Sequence, residues 1–270
     1  MKGARTLPRL AFGTAVTPGE RVLPEESAVA LSFNGSTQAV MMATPSDLED
    51  FAYGFALTEG IATPEEIDTV EVVPGPQGID VQVWLRQAAE ARLAARRRTM
   101  AGPVGCGLCG IDSIGQALRE PAALAPSAFR LTPGQVMAGV AALPAAQPLH
   151  DATRAAHCAG FWDGSRLIAA REDVGRHNAL DKLAGHLIRL GRPEGPPEGA
   201  VVLTSRVSID MVQKVAALGA PLLIAVSAPT ADSVALADRV GITLIALARP
   251  DRFELFTHSD RILTEVRHVR

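Results

Sequence analysis

The sequence has few cysteines, little net charge and no long apolar run. Only three cysteines occur in 270 residues, which excludes a disulfide scaffold and is typical of a reducing compartment. The formal net charge of -3 argues against a general binder of nucleic acid or of anionic membranes. The most apolar stretch, 215–229, is shorter than the ~20 residues that span a bilayer, and no signal-cleavage pattern follows the N-terminus. We therefore expect a cytoplasmic protein with no nucleic-acid or membrane partner.

The first part of the chain has the pattern of a small α+β lobe, which we predict for residues 1–100. The first twenty or so residues receive no assignment. The predicted strands are 27–33, 36–43, 68–73 and 79–85. Asn34-Gly35 is a two-residue hairpin signal, and Ser46-x-x-Glu49 predicts a capping box at the start of a helix between the two strand pairs.

The second part, residues 101–270, has the pattern of an α/β domain. From Ala200 to Ala248, short apolar runs alternate with amphipathic segments in the order β-α-β-α-β. Continuously apolar strands of this kind predict a buried, largely parallel sheet, whose ligands bind at the carboxyl ends of the strands. Arg206 directly follows the first of these strands, where it would meet a phosphate-bearing ligand.

Two cysteines stand two residues apart among glycines, in Gly105-Cys106-Gly107-Leu108-Cys109-Gly110. Such a pair can close a disulfide ring, supply half of a zinc site or hold a nucleophilic thiolate. The cations of 96–98 would lower a nearby thiol pKa and favour the thiolate. The rest of the sequence supplies no second pair of ligands at zinc spacing, so we expect no permanently bound metal. A zinc-stabilised binding module remains the alternative.

Two further segments concentrate polar or aromatic side chains. The run from Arg171 to Lys182 includes Arg176 and opens directly onto a helix. A charged helix cap explains one or two of its residues, whereas the whole cluster favours a polar ligand or a subunit contact. The segment Phe253–His258 is either an edge strand or a surface on which a purine base stacks.

The motifs together resemble one family. The residues concerned are Cys106-Gly-Leu-Cys109-Gly, Arg171-Glu-Asp-Val-Gly-Arg-His-Asn-Ala-Leu-Asp-Lys182, Ser205-Arg206-Val-Ser208, Ser227-Ala-Pro-Thr230 and Leu57-Thr-Glu-Gly60. In this order they are similar to the formate dehydrogenase accessory sulfurtransferase family, over nearly the whole chain. The resemblance implies a cytoplasmic homodimer with a cytidine-deaminase-like three-layer α/β domain and a smaller N-terminal α+β lobe. It also implies transfer of persulfide sulfur from a cysteine desulfurase to the Mo-bis(molybdopterin guanine dinucleotide) cofactor that formate dehydrogenase needs.

The resemblance also assigns roles to single residues. Cys106 matches the cysteine that carries the persulfide, and Cys109 matches its companion in relay or release. The residues that match the cofactor-binding stretch are Phe253, Glu254, Leu255, Phe256, Thr257 and His258. We hypothesise that Arg206 and Arg176 neutralise the cofactor's pyrophosphates. Residues 102–105 depart from the family pattern, and a cofactor carrier that moves no sulfur remains a further alternative.

Overall fold

The computed structural model describes residues 2–86, 89, 121–191 and 198–263. The chain begins with a two-stranded antiparallel ribbon, β1 (Ala4–Phe12) and β2 (Val16–Pro24), in the part to which the sequence analysis gives no structure. Nearly every side chain of this ribbon is exposed. We call residues 4–24 the arm.

The N-terminal lobe follows the predicted β-β-α-β-β order. Its strands are β3 (Ser27–Phe33), β4 (Ser36–Ala43), β5 (Ile67–Gly75) and β6 (Gly78–Leu85), and they lie side by side in the order β4-β3-β6-β5. The helix α1 (Leu48–Thr58) packs on one face of this sheet. Asn34 and Gly35 both have positive φ, as the two-residue hairpin turn requires, so the predicted hairpin is confirmed.

The predicted capping box at Ser46 and Glu49 is wrong. The residue before α1 is Asp47, whose backbone is left-handed at φ 53° and whose side chain makes no capping hydrogen bond. The carboxylate of Asp47 lies 3.8 Å from Arg171, and that of Glu49 lies 2.6 Å from Arg189. The acidic side chains at the start of α1 therefore form ion pairs with the second domain instead of capping the helix.

The larger domain contains a six-stranded sheet in the order β12-β11-β10-β9-β7-β8. Its strands are β7 (His157–Trp162), β8 (Leu167–Asp173), β9 (Ala200–Leu203), β10 (Leu222–Ala225), β11 (Thr243–Ala246) and β12 (Glu254–Leu255). Its helices are α2 (Pro133–Ala142), α3 (Pro148–Thr153), α4 (Arg176–Arg189), α5 (Ile209–Leu218) and α6 (Ala231–Val240). Helices α4, α5 and α6 cover one face and α2 the other, which confirms a mixed α/β architecture.

The sheet is parallel only at its centre. Strands β9, β10 and β11 are parallel, as predicted, whereas β7, β8 and β12 join by antiparallel pairing. Within the described ranges no helix is long and apolar enough to cross a membrane. The predicted domain boundary at residue 100 lies outside the described residues, and the division into domains stays a prediction.

The two parts of the chain meet through the pair of helices α1 and α4. A Cβ atom at Gly54 would lie 1.7 Å from the carbonyl oxygen of Asp181, and one at Gly185 would lie 1.8 Å from that of Asp50. Glycine at both positions therefore lets the two backbones come into direct contact. This close crossing sets how the lobe is held against the α/β domain.

Candidate functional site

The carboxyl ends of four strands meet at one edge of the large sheet. Strand β7 is antiparallel to both β8 and β9, so β8, β9, β10 and β11 all run in the same direction. Helices α4, α5 and α6 begin at this edge, within a few residues of the strands that precede them. We call it the carboxyl edge. It is the edge at which the sequence analysis expects ligands, since the parallel strands end there. The helix N-termini at this edge also present backbone N–H groups and partial positive charge.

The first turn of α4 brings cationic side chains to the carboxyl edge. Arg176 is the first residue of α4, and its Nε atom is buried without a hydrogen-bond partner in the described part of the chain. His157 begins β7 at the same edge. Burial lowers the pKa of His157, and the nearby charge of Arg176 lowers it further. Arg206 follows β9, as predicted, and its side chain is exposed. Both predicted arginines therefore lie at the carboxyl edge.

A histidine–aspartate pair joins two helices at this edge. Nε2 of His177, in the first turn of α4, hydrogen bonds to Oδ2 of Asp210, in the first turn of α5. Burial alone would raise the pKa of Asp210, but His177 outweighs this and lowers it to about 2. The carboxylate therefore stays ionised and fixes the imidazole ring. The sequence analysis does not single out Asp210, because an acid in a first turn is ordinarily explained by the helix dipole.

The polar run Arg171–Lys182 divides between the carboxyl edge and the lobe contact. Nζ of Lys182, fully buried, lies 2.5 Å from Oδ2 of Asp173 and donates to the carbonyl of Thr44 at 2.8 Å. The backbone N–H of Thr44 donates to Asp173 at 3.0 Å, and the amide of Asn178 donates to the carbonyl of Met42 at 2.9 Å. These residues hold the end of β4, so most of the run for which a polar ligand or a subunit contact was predicted lies between lobe and domain.

A second buried network lies further along α4. Lys214 of α5 donates to both carboxylate oxygens of Asp181 at 3.0 Å and to Glu59 of the lobe at 2.8 Å. The hydroxyl of Thr58 also donates to Asp181, at 2.7 Å. Burial alone would lower the pKa of Lys214, but the carboxylates of Asp181 and Glu59 outweigh it and raise that pKa. The ammonium is therefore charged and binds lobe to domain.

The segment Phe253–His258 contains the outermost strand of the large sheet, β12, which pairs with β11, as the edge-strand alternative predicts. Only Glu254 and Leu255 form a strand, shorter than the predicted one, and Glu254 pairs with Ala246 at the carboxyl edge. At the far end, the hydroxyl of Thr257 donates to the carbonyl of Ile242, the residue before β11. His258 hydrogen bonds there to the carbonyl of Asp238. The start of the segment therefore lies at the carboxyl edge, with Arg176 and Arg206. Thr257 and His258 lie at the opposite end of the strands.

The predicted thiol pair, Cys106 and Cys109, lies outside the described residues. The third cysteine, Cys158, is buried in β7, and burial, reinforced by the charge of Glu172, raises its pKa to about 12. A thiol of this kind stays protonated and unreactive. In the described ranges no group of three or more His, Cys, Asp or Glu side chains could hold a metal ion.

The fold places this chain among the mixed α/β proteins, with Arg176 and Arg206 at the carboxyl edge of the large sheet. Comparison with known proteins identifies the family. The model of the FdhD/NarQ family matches residues 24–263. Because this match covers most of the chain, the protein belongs to the FdhD/NarQ family.

Individual relatives agree with this assignment. The sulfur carrier protein FdhD of Agrobacterium fabrum (strain C58) is 55% identical over 253 residues, which cover 93% of this chain and 92% of the relative. The sulfur carrier protein FdhD of Brucella abortus is 54% identical over 245 residues and 90% of each chain. A crystal structure described as a formate dehydrogenase accessory protein, from Desulfotalea psychrophila, superimposes with a TM-score of 0.76 at 29% identity, covering 97% of this chain and 100% of that one.

Proposed function

We propose that this protein is a sulfurtransferase that accepts sulfur from a cysteine desulfurase as a persulfide on Cys106. It passes the sulfur to the Mo-bis(molybdopterin guanine dinucleotide) cofactor, its substrate, and so supports formate dehydrogenase. The observation that carries the proposal is 55% identity, over 93% of the chain, to a protein named as a sulfur carrier. A cytoplasmic location, a homodimer and a cytidine-deaminase-like form of the three-layer domain belong to the same proposal.

The loading step requires an accessible thiolate. The thiolate of Cys106 attacks the outer sulfur of the donor persulfide, a new S–S bond forms on Cys106, and the donor's S–S bond breaks. The donor cysteine leaves as a thiolate, so the exchange consumes no oxidant or reductant. Cys109 is the companion thiol for relay or release. The buried Cys158 takes no part, because its raised pKa leaves it protonated.

The carboxyl edge is the proposed docking place of the cofactor's pyrophosphates. The buried Nε of Arg176 lacks a partner in the described part of the chain, and a phosphate oxygen would accept its hydrogen bond. Arg206 supplies a second, exposed cation. Glu254 lies at the same carboxyl edge, and we assign Phe253 and Glu254 to the guanine end of the ligand. The hydroxyl of Thr257 is already engaged with backbone, so we assign Thr257 and His258 to holding the segment in place.

Intact-protein mass spectrometry tests the loading step. The wild type and the variants Cys106→Ala, Cys109→Ala and Cys158→Ala are incubated with a cysteine desulfurase and cysteine, without added reductant. We expect one added sulfur on the wild type and its loss in Cys106→Ala. Cys158→Ala is the matched control and should load like the wild type, because its thiol is buried and protonated.

Three further measurements separate the alternatives. One zinc ion per chain with no added sulfur would show a zinc-stabilised module and refute the transferase. Restoration of formate dehydrogenase by Cys106→Ala would show a cofactor carrier that moves no sulfur. Binding of guanosine diphosphate to Arg206→Ala with unchanged affinity would remove Arg206 from the pyrophosphate site.

A further inference from the structure

His157 is an ionisable residue at the carboxyl edge to which no role has been assigned so far. It begins β7, and the strand register pairs it with the last residue of β8. On the other side of β7, the backbone of Cys158 is hydrogen bonded to Thr204, just after β9. His157 therefore lies between the ends of the two strands that lead to Arg176 and Arg206.

The imidazole of His157 is on the face of the sheet that the helices of this edge cover. Side chains alternate along a strand, so His157 shares a face with Ala159 and Phe161. Both belong to the core under α4, α5 and α6, whereas Cys158 belongs to the core on the other face. His157 is half-buried there. It is therefore on the same side of the sheet as α4, which begins with Arg176.

Charged groups from three elements act on this imidazole. His150 in α3 and both Arg176 and His177 in the first turn of α4 oppose a positive charge on His157, whereas Asp173 of β8 favours one. Burial has the largest effect and, reinforced by Arg176, it lowers the pKa of His157. The imidazole is therefore neutral at neutral pH in the ligand-free protein.

The carboxylates near this imidazole already have cationic or hydrogen-bonding partners. Asp173 accepts a hydrogen bond from the ammonium group of Lys182, and Asp210 is bonded to His177. Arg176, in contrast, keeps its buried Nε without a partner in the described part of the chain. The surroundings of His157 therefore offer a hydrogen-bond donor that an anion would satisfy, next to an imidazole that can become charged.

We propose that His157 is a third cation of the phosphate site, and that it takes up a proton when the cofactor's pyrophosphate docks beside Arg176. The imidazolium N–H then donates to a phosphate oxygen. The proton comes from the solvent and returns to it when the ligand leaves. The inference rests on the docking at the carboxyl edge in the proposed function, to which it adds a binding residue and a dependence on pH.

The coupling determines the direction in which pH acts on ligand affinity. In the free protein, His157 loses its proton below the ordinary histidine pKa. In the complex, the phosphate charge keeps the proton bound to a higher pH. Between these two pH values the binding of ligand takes up a proton, so the affinity falls as the pH rises. Because a nearby opposite charge changes a pKa by ~1–3, we expect a fall of at least ~10-fold.

Isothermal titration calorimetry with guanosine diphosphate mannose tests the inference. Neither phosphate of this probe has a second ionisation, so the charge of the probe is constant between about pH 5.5 and about pH 8. We expect the wild type to bind the probe at least ~10-fold more weakly at the higher pH. Binding at neutral pH should also take up a fraction of a proton, measured from the binding enthalpies in buffers of different ionisation enthalpy.

A pair of histidine variants assigns the proton to one residue. His157→Gln cannot be charged, so it should bind the probe with the same weak affinity at both pH values and take up no proton. His186→Gln is the matched control, because burial also lowers the pKa of His186, which lies in the last turn of α4 against Arg171. It should keep the pH dependence of the wild type. A purely structural role of His157 would lower the affinity equally at both pH values and leave the proton uptake unchanged.

Two results would overturn the inference and leave the phosphate site intact. They are a wild-type affinity that does not change with pH, and a pH dependence with proton uptake that His157→Gln retains. Failure of the wild type to bind the probe at any pH would refute the phosphate site and this inference together. Sulfur loading on Cys106, measured by mass spectrometry, is independent of all these results.

Discussion

Lys182 is completely buried, and its charge is nevertheless accommodated. Asp173 and the carbonyl of Thr44 both accept hydrogen bonds from its ammonium group, and Asp173 also accepts from the backbone of Thr44. Such a pair is strongly destabilised when one partner is removed, because the remaining charge stays buried. Charges at the carboxyl edge differ in kind, since Arg206 is exposed and Arg176 keeps a buried N–H unpaired among the described residues. The burial and pairing of single side chains therefore distinguish the structural cluster from the proposed ligand site.

The Asp210 carboxylate makes the free energy of unfolding vary with pH in the acid range. Its pKa is lowered to about 2 in the folded protein, so it stabilises the fold above the ordinary aspartate pKa, and this contribution is lost as the pH falls toward 2. We expect Asp210→Asn to lower the free energy of unfolding by roughly 2 kcal/mol near neutral pH. Urea unfolding of both proteins at a series of pH values should show this difference shrinking below about pH 4. A difference that is constant with pH would contradict the assignment.

At the scale of elements, the contact of α1 with α4 depends on two glycines. Gly54→Ala and Gly185→Ala should each lower the free energy of unfolding by about 3 kcal/mol or more, because the new methyl group would collide with rigid backbone. Gly134→Ala in α2 is the matched control. Its nearest neighbour would be Thr132 at 3.9 Å, so alanine there should be neutral or stabilising by up to ~1 kcal/mol. Equal effects at all three positions in urea unfolding would argue against the close crossing.

The sequence predicts helices and strands well where the apolar periodicity is strong. It predicts them poorly where contacts with distant parts of the chain determine the structure. The β-α-β-α-β order and the Asn34-Gly35 hairpin are confirmed because each depends on neighbouring residues. The arm was not predicted, since Pro8 and Pro18 within its strands argue against regular strands. The carboxyl edge could be predicted because the order of strands and helices determines it. The hydrogen bond between Thr44 and Asp173 joins residues 129 positions apart, so no local sequence pattern predicts it.

At the scale of the whole molecule, the buried networks should make lobe and domain unfold together. Trp84 lies in the lobe and Trp162 in the core of the α/β domain, and the chain has no other tryptophan. In Trp84→Phe and in Trp162→Phe, the fluorescence of the remaining tryptophan should follow the same urea transition as the far-ultraviolet circular dichroism. A lobe signal that changes at lower urea than the circular dichroism would show that the contact does not couple the two parts.

The division of charge between the two parts has a consequence for chimaeras. Within the described residues, the acids Asp50 and Glu59 come from the lobe, and the cations that neutralise them, Arg171, Arg189 and Lys214, come from the α/β domain. A lobe grafted onto a foreign domain would bring its acids without their counter-ions. Hybrids of two relatives should therefore fold only when the lobe is accompanied by a domain that carries these cations. We expect the lobe and its cationic contacts to be exchanged together.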